Sequence, residues 1–210
     1  MPENLGFLTV VEQPPVGLTG GYLVLNRAGR PLEFHCTAPL APEKIQKILY
    51  GNTLQPFLYG ERIAQTLILR SKLPVLSILT DHAAVLPVQP LVPTPVIYVF
   101  PEITNLETAG VQPPFREIPE ELNESLKEFG ITNTHFRTLT VSSDDMPKVP
   151  AVPGFDTCAW QEIHIGNRSI AVPGGEETLI DEIKYRARTI DLLEPFARIR
   201  LALEEARNAA

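Results

Sequence analysis

His35 stands next to Cys36, and Asp81 next to His82. A thiol beside an imidazole is the pairing from which thiolate nucleophiles are made, and a carboxylate beside an imidazole can orient a general base. The four together would make the reacting set of a hydrolase or a thiol-dependent enzyme. Two features weigh against that. Neighbours on a strand point to opposite faces, so His35 and Cys36 cooperate only where the strand is bulged. No GxSxG elbow or comparable nucleophile context accompanies Asp81 and His82.

Metal and phosphate chemistry have weaker footholds. Glu162 and His164 are two residues apart and could face one ion, but a protein site needs further ligands about 2 Å from the metal. Cys158 shares their strand face yet would lie about 20 Å from His164 at strand rise. No metal is expected. Gly17-Leu18-Thr19-Gly20-Gly21 precedes a strand, where a phosphate-binding glycine loop follows one and opens a helix. Pro173-Gly174-Gly175 does join strand to helix, but Glu176 and Glu177 then occupy the first helical turn and repel phosphate. No cofactor is expected.

Net charge points the same way. At −7 the chain lacks the basic surface that phosphate backbones and anionic membranes attract, which excludes both as expected partners. Lys184, Arg186, Arg188, Arg198 and Arg200 do cluster, but Asp181, Asp191, Glu194 and Glu204 stand three or four positions from several of them. That reads as a solvated, ion-paired helix face. Met1-Pro2-Glu3-Asn4 has no basic n-region, and no apolar run approaches the ~18 residues of a membrane span. A cytoplasmic protein with two free thiols, Cys36 and Cys158, is the expectation.

These residues need elements to position them. One residue in ten is proline, 21 of 210, about twice ordinary usage, and the prolines fall between apolar runs as rigid connections. Residues 21–25 and 30–36 read as a hairpin around Asn26-Arg27-Ala28-Gly29, with a further strand at 7–11. In its second strand Leu32, Phe34 and Cys36 are expected in the core, with Glu33, His35 and Thr37 in solvent. Pro42-Glu43 opens a helix carrying Ile45, Ile48 and Leu49, which Gly51-Asn52 ends. A second helix within 54–72 buries Ile63, Ala64, Leu67 and Ile68. The repeated Leu49-Tyr50-Gly51 and Leu58-Tyr59-Gly60 read as two helix-ending turns. Strands follow at 75–80, 84–88 and 96–100, with Pro87, Pro90 and Pro93 at polyproline spacing in a packed crossover.

Beyond a polar connection, a short helix at 120–129, a strand at 135–141 and an exposed loop at 142–153 are expected. A hairpin then joins 160–165 to 168–172 through Gly166-Asn167. Leu179, Ile183, Ala187, Ile190 and Leu193 trace one helical stripe, and Pro195 kinks that helix or starts another reaching about Ala206.

This grouping of strands and helices predicts an α+β class, an antiparallel sheet with flanking helices. Its layering resembles profilin and longin-type folds by topology alone. The organisation read from the sequence is an N-terminal domain at 1–103, a linker at 104–118 and a C-terminal segment at 119–210 that can pack with the first. The functional expectation is a non-catalytic adaptor binding a protein partner or a second copy through Phe196, Ile199 and Leu203. The enzyme using His35, Cys36, Asp81 and His82 is the alternative.

Overall fold

The computed structural model describes residues 2–101, 149–157, 159–166 and 168–208. The linker at 104–118, the helix at 120–129, the strand at 135–141 and Cys158 lie outside the described residues.

The chain is α+β, as its pattern predicts: a seven-stranded, mostly antiparallel sheet with helices against it. Strand β1 (Asn4–Gln13) is apolar on both faces, with Leu5 and Phe7 on one and Leu8 and Val10 on the other. Such a strand belongs in the middle of a sheet covered on both sides. It turns into β2 (Gly17–Leu25), where the Val16 N–H donates to the Gln13 carbonyl at 2.7 Å, and β3 (Pro31–Cys36) pairs antiparallel outside β2. Helix α1 (Lys44–Tyr50) ends at Gly51, whose φ of +50° favours glycine. Helix α2 (Leu54–Pro56) then continues through a π-helical stretch, Phe57–Ala64, into α3 (Gln65–Arg70). This crossover returns the chain to lay β4 (Val75–Thr80) parallel to β1, with Leu8 opposite Thr80. A 3₁₀ segment, Ala83–Leu91, leads to β5 (Val96–Val99), parallel to β4. The hairpin β6 (Trp160–Ile165) and β7 (Arg168–Pro173) adds antiparallel to β5 through β7, giving the order β3-β2-β1-β4-β5-β7-β6.

Two cores result. Leu8, Val10, Tyr22, Val24 and Ile78 meet Leu58, Tyr59, Ile63, Ala64 and Leu67 of the crossover. Leu5, Phe7, Leu23, Leu25 and Leu79 meet α4 (Glu177–Arg186) and α5 (Glu194–Asn208) on the other face. The neighbours Gly20 and Gly21 in β2 serve one core each. A Cβ on Gly20 would collide with Ile63 Cγ2, and one on Gly21 with Ile199 Cγ2. The Gly17 to Gly21 run is thus strand, shaped for close helix approach.

Several expectations are corrected. Residues 84–88 are 3₁₀-helical because Pro87 and Pro90 cannot donate to a strand ladder. Leu58-Tyr59-Gly60 lies within the helical run, and only Gly51 ends a helix. The stripe through Leu193 is broken: α4 stops at Arg186, and Pro195 sits in the first turn of α5, where its missing N–H costs nothing. In β3 the faces are reversed. Leu32 and Phe34 are exposed, as is Cys36, while Glu33 and His35 are partly covered. As the edge strand, β3 has the Ser71–Lys72 segment over its Glu33 face. Among the described residues no helix is long and apolar enough to cross a membrane.

Candidate functional site

His35 and Asp81 lie almost in one row across the sheet. His35 is opposite Tyr22, Tyr22 opposite Leu8, and Leu8 opposite Thr80, one residue before Asp81. That row spans three strand spacings, roughly 14 Å at ~4.8 Å each. The structure therefore does not gather the four sequence-predicted residues. His35 Nε2 instead pairs with Glu33 Oε1 at 2.7 Å, and Cys36 is exposed at the edge strand. A Cys36 thiolate has no route to Asp81 or His82, and the thiol-dependent form of the enzyme reading is set aside on that geometry.

Asp81 and His82 are better placed. They directly follow β4, beside the parallel strand β1. From β1 the chain proceeds to β2 on one side, and from β4 to β5 on the other. β1 runs on past this point to Gln13, so the carboxyl end of β4 lies beside the middle of β1.

Asp81 extends to the α5 face, where Arg200 Nη2 donates to its Oδ2. Its side chain is only 8% exposed, and its other oxygen, Oδ1, is buried with no hydrogen-bond partner among the described residues. Thr9, one position beyond the Leu8–Thr80 pair, buries an Oγ1 that likewise has none. Buried oxygens are normally satisfied, so one at the end of β4 and another in the adjoining middle of β1 mark a place built to receive donors. His82 Nε2 lies 3.9 Å from Asp81 Oδ1, and the ring packs edge-on against Tyr59 with centroids 5.6 Å apart. Burial, with the Arg200 charge, lowers the His82 pKa below its ordinary 6.5, outweighing the Asp81 charge and a hydrogen bond to the Val10 backbone. The imidazole is consequently neutral at pH 7 and can accept a proton. Burial pushes the nearby phenols of Tyr59 and Tyr98 upward, with Glu12 adding to the first and Asp81 to the second.

Sequence reasoning singled out Asp81 and His82 as candidates from their adjacency at a strand end. It missed Arg200, 119 positions away, and Thr9, which resembles any strand threonine. Phe196, Ile199 and Leu203, expected to face a partner, are in the core at 1%, 0% and 3% exposure. They cover β1 and β2, so the sheet is their partner. Glu162 and His164 are 3.9 Å apart, and no group of three His, Cys, Asp or Glu side chains arranged around a metal occurs among the described residues.

No protein-family model matches the chain, and no curated protein matches it. Among solved structures it is similar to a substituted form of Ciona intestinalis endonuclease V in complex with a 23mer DNA containing an inosine followed by a ribo-adenosine. Identity is 14% and the TM-score 0.45, over 97% of this chain and 86% of that one. It is also similar to the same animal's endonuclease V in complex with a 24mer DNA of that kind, at 14% identity and a TM-score of 0.42, over 97% and 87%. These are DNA-bound enzymes. The expectation of a non-catalytic, protein-binding adaptor with no nucleic-acid partner is corrected on that finding. The chemistry of this chain is argued below from its own residues.

Proposed function

We propose that this chain is a hydrolase whose reacting groups stand at the carboxyl end of β4, beside the middle of β1. The observation that carries the reading is the pairing of a buried carboxylate oxygen without a hydrogen-bond partner among the described residues, Asp81 Oδ1, with a partly buried imidazole 3.9 Å away. His82, neutral at pH 7, takes the proton of the attacking water and returns it to the alkoxide oxygen that leaves as the ester bond breaks. Asp81 Oδ1 accepts that water's other hydrogen and orients it. Arg200, 47% exposed and held by Asp81 Oδ2, offers its outer guanidinium edge to the negative charge that develops on the substrate. The substrate class that suits a water nucleophile, a base and one cation is an ester of a carboxylic or phosphoric acid. A cytoplasmic setting fits the free, exposed thiol of Cys36.

The test is hydrolysis of a chromogenic carboxylic ester, a phosphodiester and an inosine-containing DNA oligonucleotide, the last taken from the ligands of the similar structures. Active protein should lose about 10²-fold or more in rate on His82→Gln, the typical contribution of a positioned general base. Asp81→Asn should cost a similar factor. The rate should rise with pH through a midpoint below pH 6.5, because protonated His82 is inactive and its pKa lies below that value. No turnover on any of the three, or a His82→Gln variant as fast as the parent, would end the proposal.

A further inference from the structure

A concavity stands apart from the Asp81 corner and shares no residue with it. It is a cleft of about 630 Å³ between the β6–β7 hairpin and the end of α4. That volume falls within the ~300–1,000 Å³ of pockets that enclose small organic ligands. Its charge is opposite to that of the chain as a whole. Arg168, Lys184 and Arg188 line it against a single carboxylate, Asp191, in a protein of net charge −7.

The cations come from two directions. Arg168 opens β7, and its Nη2 lies 3.6 Å from Asp191 Oδ1. Asp191 is itself committed to the local turn, since the same oxygen accepts the Leu193 N–H at 2.9 Å. Lys184 and Arg188 are four residues apart at the end of α4, both exposed and without an ion pair among the described residues. Their helix neighbour Arg186 turns away instead, buried against Glu182 and the Glu3 carbonyl. A helix C-terminus alone favours nearby cations. It does not account for Arg168 arriving from the hairpin opposite, nor for the hollow between them. Ile190 and Leu192, both buried, supply an apolar part of the lining.

We propose that this cleft binds a phosphate ester of nucleotide size, with Lys184, Arg188 and Arg168 around the phosphate and the Ile190–Leu192 wall against the organic part. Three cations from two elements suit a multiply charged oxyanion, and the cleft is far larger than a bare anion needs. The phosphate belongs either to a free nucleotide or to a nucleic-acid strand.

The experiment is calorimetric titration of the full chain with adenosine 5′-monophosphate, adenosine, inorganic phosphate and a short DNA oligonucleotide. The parent is compared with a Lys184→Glu, Arg188→Glu double variant and with Arg207→Glu, a control on α5 outside the cleft. The monophosphate should bind at least tenfold tighter than either adenosine or phosphate, and the double variant alone should lose at least tenfold. Oligonucleotide binding with the same loss, in place of the monophosphate, assigns the phosphate to a nucleic acid. No binding of either at millimolar concentration overturns the proposal. So does binding that survives the double variant, and so does adenosine or phosphate binding as tightly as the monophosphate.

Discussion

Glu33 is held by three neighbours: the Ser71 hydroxyl at 2.8 Å, the His35 ring at 2.7 Å and the Lys72 amide at 3.2 Å. Burial opposes its charge, but these hydrogen bonds and the nearby imidazole prevail and bring the carboxyl down to about 2. A carboxyl so lowered contributes stability that is fully present above its ordinary 4.5 and is lost as the pH falls toward about 2. Glu33→Gln should therefore cost roughly 1.5–3 kcal/mol at pH 7, the usual range for hydrogen bonds to a charged group. In urea unfolding the parent should weaken between pH 4.5 and 2 more than the variant does; equal slopes would show that Glu33 is a bystander. Alternation along β3 put Glu33 in solvent because a strand's period says which residues share a face, never which face is covered. Ser71 and Lys72, which decide it, are some 40 positions away. Asp81 and His82 were legible for the opposite reason: their pairing is local.

At the scale of elements, β2 is the most constrained segment. Its consecutive glycines point to opposite faces, and helical segments close on both, Ile63 and Leu67 over Gly20 and Ile199 and Leu203 over Gly21. All four covering residues are buried in the two cores, so a new methyl has nowhere to displace them. Gly20→Ala and Gly21→Ala should each destabilise by roughly 1–3 kcal/mol, the cost of overpacking a dense interior. Thermal melts of the two variants decide this, and an unchanged midpoint would mean that the helices stand off the strand. The strands β1, β3, β4, β5 and the β6–β7 hairpin were legible because short apolar, β-prone runs bounded by turn residues are local signals. The 3₁₀ course of Ala83–Leu91 was not, since its apolar residues suit a strand and only the prolines at 87 and 90 speak against one. The break between α4 and α5 escaped because Ile190 and Leu192 stay buried in the connection, so the apolar spacing persists where the helix does not.

For the molecule as a whole, α5 is a wall of the core. Phe196 meets Phe7 edge-on with ring centroids 5.6 Å apart, and Ile199 and Leu203 close over β2. Burying three such side chains contributes roughly 1.5–3 kcal/mol each, comparable in sum with the ~5–15 kcal/mol that holds a domain folded. Truncation after Glu194 should consequently abolish the cooperative melt and the near-ultraviolet dichroism. A truncated chain that melts like the parent would return α5 to the surface. The same helix carries Arg200, which reaches back to Asp81 across 119 positions of sequence. On a ribosome the carboxylate emerges long before its guanidinium partner exists. Until α5 is made and docked, Asp81 lacks its guanidinium partner. A nascent chain that stops short of α5 thus lacks the cation on which the proposed hydrolysis depends, so that the order of synthesis itself acts as a safety catch.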